Sequence, residues 1–461
     1  MKWKCSFKLF MIFVFLLTTS FLYSHDFDWG SINLFSNTKY IYQWSDKPNG
    51  FLVSNDDSDQ DISEILGIDA VHNDSDISFS FLGKYAKDLD GTPSGSIFQD
   101  YVDTGKNRQK LDVYYAYFTK ENLLPDVDFK LGRQYAYSSE IVHYDGASVT
   151  GDGAIADWLN FEIFGGRIVQ TYSNLKQDGV GGFNIEVKAV KNLIFYLDSV
   201  FYQKNSYELG TYYTPMENIK LRGRFAFINS SSRFWNVDLI ATCPYTKTTL
   251  TIDIYKRFTI PVKDDFLYDY TTTIEDNIGK DIKRFYLARL YGYIDYSISI
   301  SQPIPKQEGM TFYVKYTRRD INDDYENIYE NLYNTDFYRW SVGLNLDNWW
   351  KLKGTKFSIG YSYWKEDKKH LYDSSSESWF ADLEQEICEK VSLNAGFYYK
   401  TEDVNSLIEG EASHYYYGSV KYKFAEDKWV SLKYEYETDD YYHEFGISGI
   451  NAITANLHLT W

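Results

Sequence analysis

Lys220, Arg222 and Arg224 are the residues whose type and spacing point most directly to a chemistry. At i, i+2 and i+4 of an extended segment they project from one face, about 6 to 7 Å apart, and can hand an anion from one cation to the next. Arg257, Arg289, Lys315, Arg319, Lys421 and Lys423 fall on the polar phase of other alternating segments. So do the acids Asp112, Glu162, Asp253, Asp295, Asp382, Glu384 and Glu386. Tyr291 and Tyr293 share a phase with Arg289 and Asp295, and Tyr415 and Tyr417 share one with Lys421. Aromatic faces beside charges suit sugars, whose hydroxyls or carboxylates the charges would orient. Catalysis, by contrast, needs a nucleophile or activated water with a base in reach. The histidines at 25, 72, 143, 370, 414, 443 and 458 stand singly, without zinc spacing. No catalytic residue, metal site or cofactor is expected.

The elements that must hold these side chains are strands. From 445 to 461, Phe445, Ile447, Gly449, Asn451, Ile453, Ala455, Leu457, Leu459 and Trp461 alternate with small or polar residues. A period of two sends them to opposite faces of a strand, and an apolar stripe ending in a carboxyl-terminal aromatic suits the last strand of an outer-membrane barrel. The same split recurs at 391–401 and at 246–257, where Leu250, Ile252 and Ile254 oppose Thr249, Thr251, Asp253 and Arg257. It appears again at 285–300, 337–347 and 428–438. Lys or Arg facing lipid near the midplane would cost about 2–4 kcal/mol each, which assigns the polar phase to the interior.

The amino terminus agrees with export. Lys2, Lys4 and Lys8 precede an apolar run from Leu9 to Leu17 and then small residues, the pattern of a signal peptide over residues 1–24, cleaved after Ser20 or Ser24. The run is too short to span a bilayer as a helix, which needs about 20 residues. Formal net charge is −18, which removes the basic footprint expected of nucleic-acid binding. With 44 Tyr and 19% aromatic residues, yet a mean hydropathy of −0.44, the composition suits aromatic girdles around a polar interior. Cys243 and Cys388, far apart and without metal spacing, read as two isolated thiols. Short connections such as Lys191-Asn192 and Glu389-Lys390 alternate with longer acidic ones, including Asp56, Asp57, Asp59 and Asp61, read here as solvated loop charge.

Residues 25–461 are therefore expected to form one all-β domain, a single transmembrane antiparallel barrel. An even strand number, 18 to 22, follows if both termini are periplasmic. Strand-like sequence from Trp29 onward leaves no room for a plug domain. Trp461 is the expected assembly signal, read by the barrel-assembly machinery, and outer-membrane lipid the expected surroundings.

Leu111-Asp112-Val113-Tyr114-Tyr115-Ala116-Tyr117, then Phe129-Lys130-Leu131-Gly132-Arg133-Gln134, then Tyr144-Asp145-Gly146 resemble a run found in porin-like barrels related to alginate-export channels. The likeness covers about 55 residues. It implies a passive outer-membrane channel for small hydrophilic solutes, anionic or sugar-like. Arg133 departs from the pattern, since its phase groups it with Phe129 and Leu131: either a kink at Gly132 turns it inward or it lies beyond the lipid. Rival readings are a structural or adhesive surface barrel, an electron-conduit sleeve and, last, an outer-membrane hydrolase.

Overall fold

The computed structural model describes residues 25–45, 58–90, 109–169, 178–261, 289–290, 292–321, 336–348, 353–367, 374–404, 408–440 and 448–461. The expected signal peptide lies outside the described residues, as do Tyr291 and the side chain of Arg289. Strands occur in the order β1 (His25–Phe27), β2 (Gly30–Ser45), β3 (Ser58–His72), β4 (Ile77–Asp88), β5 (Gln109–Leu124), β6 (Val127–Tyr137) and β7 (Ile141–Asp152). Next come β8 (Leu159–Ile168), β9 (Gly179–Val190), β10 (Leu193–Phe201), β11 (Asn205–Met216), β12 (Ile219–Ile228), β13 (Ser231–Thr242) and β14 (Thr249–Arg257). Two short pieces follow, β15 (Ile260–Pro261) and β16 (Arg289–Leu290), then β17 (Tyr293–Pro303), β18 (Met310–Ile321), β19 (Phe337–Asp347) and β20 (Thr355–Glu366). The last are β21 (Ser374–Cys388), β22 (Val391–Val404), β23 (Ile408–Ala425), β24 (Lys428–Asp439) and β25 (Ile450–Thr460).

Each long strand pairs antiparallel with its sequence neighbours, and β2 pairs with β25 from Phe35↔Thr460 to Ser45↔Ile450, closing the sheet. With β1 only an added piece on the start of β2, the closed barrel has 22 strands. Closure removes the open edges that lipid does not tolerate. The stretch from 193 to 243, too tightly spaced to parse by pattern, resolves into four separate strands joined by tight turns. One sequence expectation is corrected here. Of the segment read from 285, residues 285–288 and 291 lie outside the described residues, the barrel strand β17 starts at Tyr293, and Arg289 lies in a separate two-stranded ladder opposite Pro261.

The two faces separate as the pattern requires. Exposed Leu66, Phe118, Ile163, Leu209, Val237 and Ile298 share one phase across paired strands, while charged residues occupy the other. One end of the barrel carries the termini and short turns; the other carries the long connections. At the turn end Leu34 and Trp461 exchange backbone hydrogen bonds of 2.9 and 2.7 Å, so the last residue is stitched into the seam. Cys243 and Cys388 are both free thiols. Asp59 and Asp61, expected in a solvated loop, instead lie within β3 on its inward phase and are buried, because the ladder to Gln43 and Ile41 of β2 extends to Ser58.

Candidate functional site

Arg222 stands between Tyr212 and Asp238, Arg224 between Gly210 and Asn236, and Lys220 opposite Ile240 of β13. They do not form a free column of positive charge. Arg222 is ion-paired with Asp238. Arg224 donates from Nε and Nη2 to Asn236 Oδ1 at 3.1 and 3.0 Å and lies 3.9 Å from Glu208 Oε1. Lys220, near the turn end, is exposed. Further round the wall Arg319 grips Asp295 with two bonds of 2.7 and 2.8 Å, its guanidinium 3.9 Å over the Tyr293 ring. Arg257 pairs in register with Tyr293, and Lys315 lies between Ser299 and Ser341. Lys421 covers Trp429 at 4.4 Å, and Lys423 is exposed near the same end. Cation–π contact also occupies the tyrosine pair of β23, where Lys433 lies 4.7 Å over Tyr417 and pairs with Glu435 at 2.7 Å. Positions read from sequence as sugar platforms thus already carry cations of the same wall.

What the pattern did not single out is an acidic row on β8 to β11. Glu162, Asn184, Asp198 and Glu208 are successive cross-strand partners, so they form one band across four strands. Glu186 lies one inward step nearer the turn end. Asn184 Nδ2 holds Glu162 at 3.1 Å, Asn160 Nδ2 holds Glu186 at 3.3 Å, and the Tyr196 hydroxyl donates to Glu208 at 2.8 Å. With Tyr212 and Arg224 these residues line a lumenal recess of about 400 Å³. Lys188, 3.7 Å from Glu186, and Arg224, 3.9 Å from Glu208, pair with this band, and the charge of Lys130 acts on Glu162.

Above the recess, toward the long-connection end, the same phase turns apolar. Val142, Tyr144, Phe164, Ile168, Val180 and Val200 pack together with Ala136 into a buried cluster. A barrel wall cannot fill its own lumen at this width. Here the β6–β7 hairpin occupies part of it. The β5–β6 ladder stops at Ala116↔Arg133, whereas β6 and β7 remain paired to their tips at Tyr137↔Ile141. Gly132, at φ +137°, is where the hairpin leaves the wall. Gly146 beside it would place a Cβ 2.2 Å from the Gly165 carbonyl, so the bend admits no side chain there.

The tip is fastened to β9, β10, β11 and β13. Ser138 Oγ donates to Ser199 O at 3.3 Å, Ser139 Oγ to Ser206 O at 3.1 Å, and Asn184 Nδ2 to Tyr137 O at 3.2 Å. Glu140 accepts from Ser206 Oγ at 2.9 Å and is ion-paired with Arg233 of β13. The opposite hairpin face carries the Tyr135–His143 stack, at 4.3 Å, and the Arg133–Asp145 pair, at 2.8 Å. His143 lies against the Tyr114 backbone of β5. The kink at Gly132 is therefore the answer to the phase of Arg133.

No protein-family model matches the chain, and no curated protein matches it in sequence. Solved structures match over nearly the whole chain at low identity. Pseudomonas aeruginosa OccK3 (OpdO) is similar at a TM-score of 0.45 and 10% identity, covering 93% of this chain and 95% of its own. Acinetobacter baumannii OccAB3 gives 0.44 and 11%, with 94% and 99% covered. The P pilus usher (PapC) translocation pore gives 0.47 and 8%, with 93% and 99% covered.

Proposed function

We propose that this chain is a porin-like channel of the bacterial outer membrane, passive and non-enzymatic, for small hydrophilic solutes, with its short turns and both termini toward the periplasm. One observation carries the reading: a closed barrel whose outer phase is apolar and whose inner phase is charged, lining a recess beneath an inward-folded hairpin. Its relation to alginate-export channels remains a sequence resemblance over about 55 residues. Electrostatics favours cations over the anions suggested by the ladder. Arg222 and Arg224 have acidic partners, while Glu162, Glu186, Asp198 and Glu208 outnumber Lys130, Lys188 and Arg224 on the adjoining wall. Rings of acidic side chains select cations.

Planar-bilayer recording of the purified, folded protein tests this. Ohmic steps at moderate salt are expected. A bilayer that stays sealed despite verified insertion would refute the channel and leave a surface barrel or a sleeve around a partner.

A further inference from the structure

We propose that the barrel wall is open sideways between β5 and the β6–β7 hairpin, and that small uncharged apolar molecules leave the lumen for the bilayer through this gap. The inference rests on the reading of the chain as an outer-membrane channel and adds a second exit to it. Pairing along β5 is one-sided toward its start. On the β4 side the ladder runs on to Lys87↔Gln109, whereas on the β6 side it stops at Ala116↔Arg133. Among the described residues no backbone hydrogen bond takes the place of β6 along residues 111–115. This edge lies at membrane depth. Val113 and Leu111 stand opposite Gly83 and Tyr85 of β4, six and eight positions past its first residue, Ile77, and a crossing takes about 9–11 residues. On its own side β6 gives the wall only the seven residues from Val127 to Arg133 before it turns in.

Strand edges are not left open to lipid, and unpaired backbone at membrane depth persists only where it is buried in protein or borders water. No strand covers this edge and His143 meets it only at Tyr114, so water from the lumen must reach it, at a place where the wall also faces the bilayer. The gap therefore joins the two. Its lining is apolar, where the inner phase elsewhere is charged. Inside, the hairpin face turned toward β5 presents Tyr137 and Ile141, 71% and 69% exposed, and below them the half-buried Tyr135–His143 stack. Outside, Leu111 is 70% exposed. The Arg133–Asp145 pair forms the lower lip, and its two charges cancel. Large apolar side chains standing in a water-filled lumen are stabilised by an apolar solute that displaces that water. A charged solute would have to shed its hydration to follow the same path, which excludes it. The Tyr135–His143 stack lies across the gap and sets its width.

The geometry is tested in the full chain with Cys243 and Cys388 replaced by Ser, a bimane fluorophore attached through Tyr114→Cys, and the protein folded into liposomes. Loss of fluorescence is expected both with a doxyl group carried on the lipid and with aqueous iodide. Ile298→Cys, on the exposed outer phase, should respond to the lipid quencher alone, and Ser297→Cys, on the opposite phase, to iodide alone. Quenching at Tyr114→Cys by only one agent would overturn the opening. Absence of lipid quenching at Ile298→Cys would instead refute the membrane barrel itself. Should Tyr114→Cys not fold, judged by the gel mobility of unheated samples, Val113→Cys decides. Passage is measured in porin-deficient Gram-negative cells as the rate at which N-phenyl-1-naphthylamine brightens on reaching the bilayer. Cells making the protein should brighten several-fold faster than cells without it, and Tyr135→Ala should speed entry several-fold further. No gain in cells holding folded wild-type protein would overturn the apolar route, and a Tyr135→Ala rate equal to wild type would overturn the place of the stack across it.

Discussion

Removing two carboxylates from the β8–β11 band, Glu162→Gln together with Asp198→Asn, should turn the selectivity of the pore away from cations. A unit charge about 7 Å from a permeating ion in water contributes about 0.6 kcal/mol, and a Debye length of about 8 Å reduces this to about 0.25 kcal/mol. It favours the cation and opposes the anion equally. The ratio of their permeabilities therefore changes by about 0.5 kcal/mol, or about twofold, per carboxylate. Four acids stand against Lys130, Lys188 and Arg224, so the band keeps a net negative charge and a cation preference. The double variant leaves the bases in excess. Reversal potentials across a tenfold KCl gradient measure the ratio before and after. A wild-type preference for anions, or a double variant that keeps the wild-type ratio, would show that this band does not border the permeation path.

Four further outcomes follow from the same geometry. Arg222→Gln leaves Asp238 without its ion pair, so cation preference should rise about twofold, read again as a reversal potential. Phe164→Ala empties part of the buried roof, where Phe164 is 4% exposed; it should cost about 3–5 kcal/mol and lower the unfolding temperature of the barrel in detergent. Gly146→Val places side-chain carbon where the Gly165 carbonyl lies, so the hairpin should fail to fold inward and unitary conductance should rise, while unchanged conductance would argue against its role in narrowing the lumen. Deleting Trp461 removes its paired hydrogen bonds with Leu34 and should reduce assembled protein in outer-membrane fractions, measured by the heat-shifted gel band.

Much of this fold was legible because a barrel wall repeats one local rule. The period of two in Leu250, Ile252 and Ile254 against Thr249, Thr251 and Asp253 holds in β14, and the last strand ends in the seam. The shared phase of Lys220, Arg222 and Arg224 on β12 followed from the period of two. Their compensation did not, because Asp238 and Glu208 are joined to them by register, and register depends on turns that alternation does not encode. The acidic band failed to appear for the same reason. Glu162 was readable alone, whereas its alignment with Asp198 and Glu208 exists only once the crowded segment from 193 to 243 is divided correctly. Asp59 and Asp61 misled in another way: a run of aspartates resembles a loop, and only pairing with β2 shows it to be strand.

The inward hairpin shows how a local backbone feature redirects side-chain chemistry. While β6 follows the wall, Phe129 and Leu131 face outward as the alternation requires. Above Gly132 the hairpin leaves β5, so the phase that would have met lipid carries Arg133, Tyr135, His143 and Asp145 instead, and it meets the inner face of β5. The reversed phase then becomes a second, polar surface, while Val142 and Tyr144 on the other face close over Phe164 and Val200. Charged residues on an apparently lipid-facing phase thus mark where a strand departs from the barrel. A glycine immediately before them, here Gly132 before Arg133, locates the departure, because only a residue without a Cβ readily takes the φ of +137° that the bend demands.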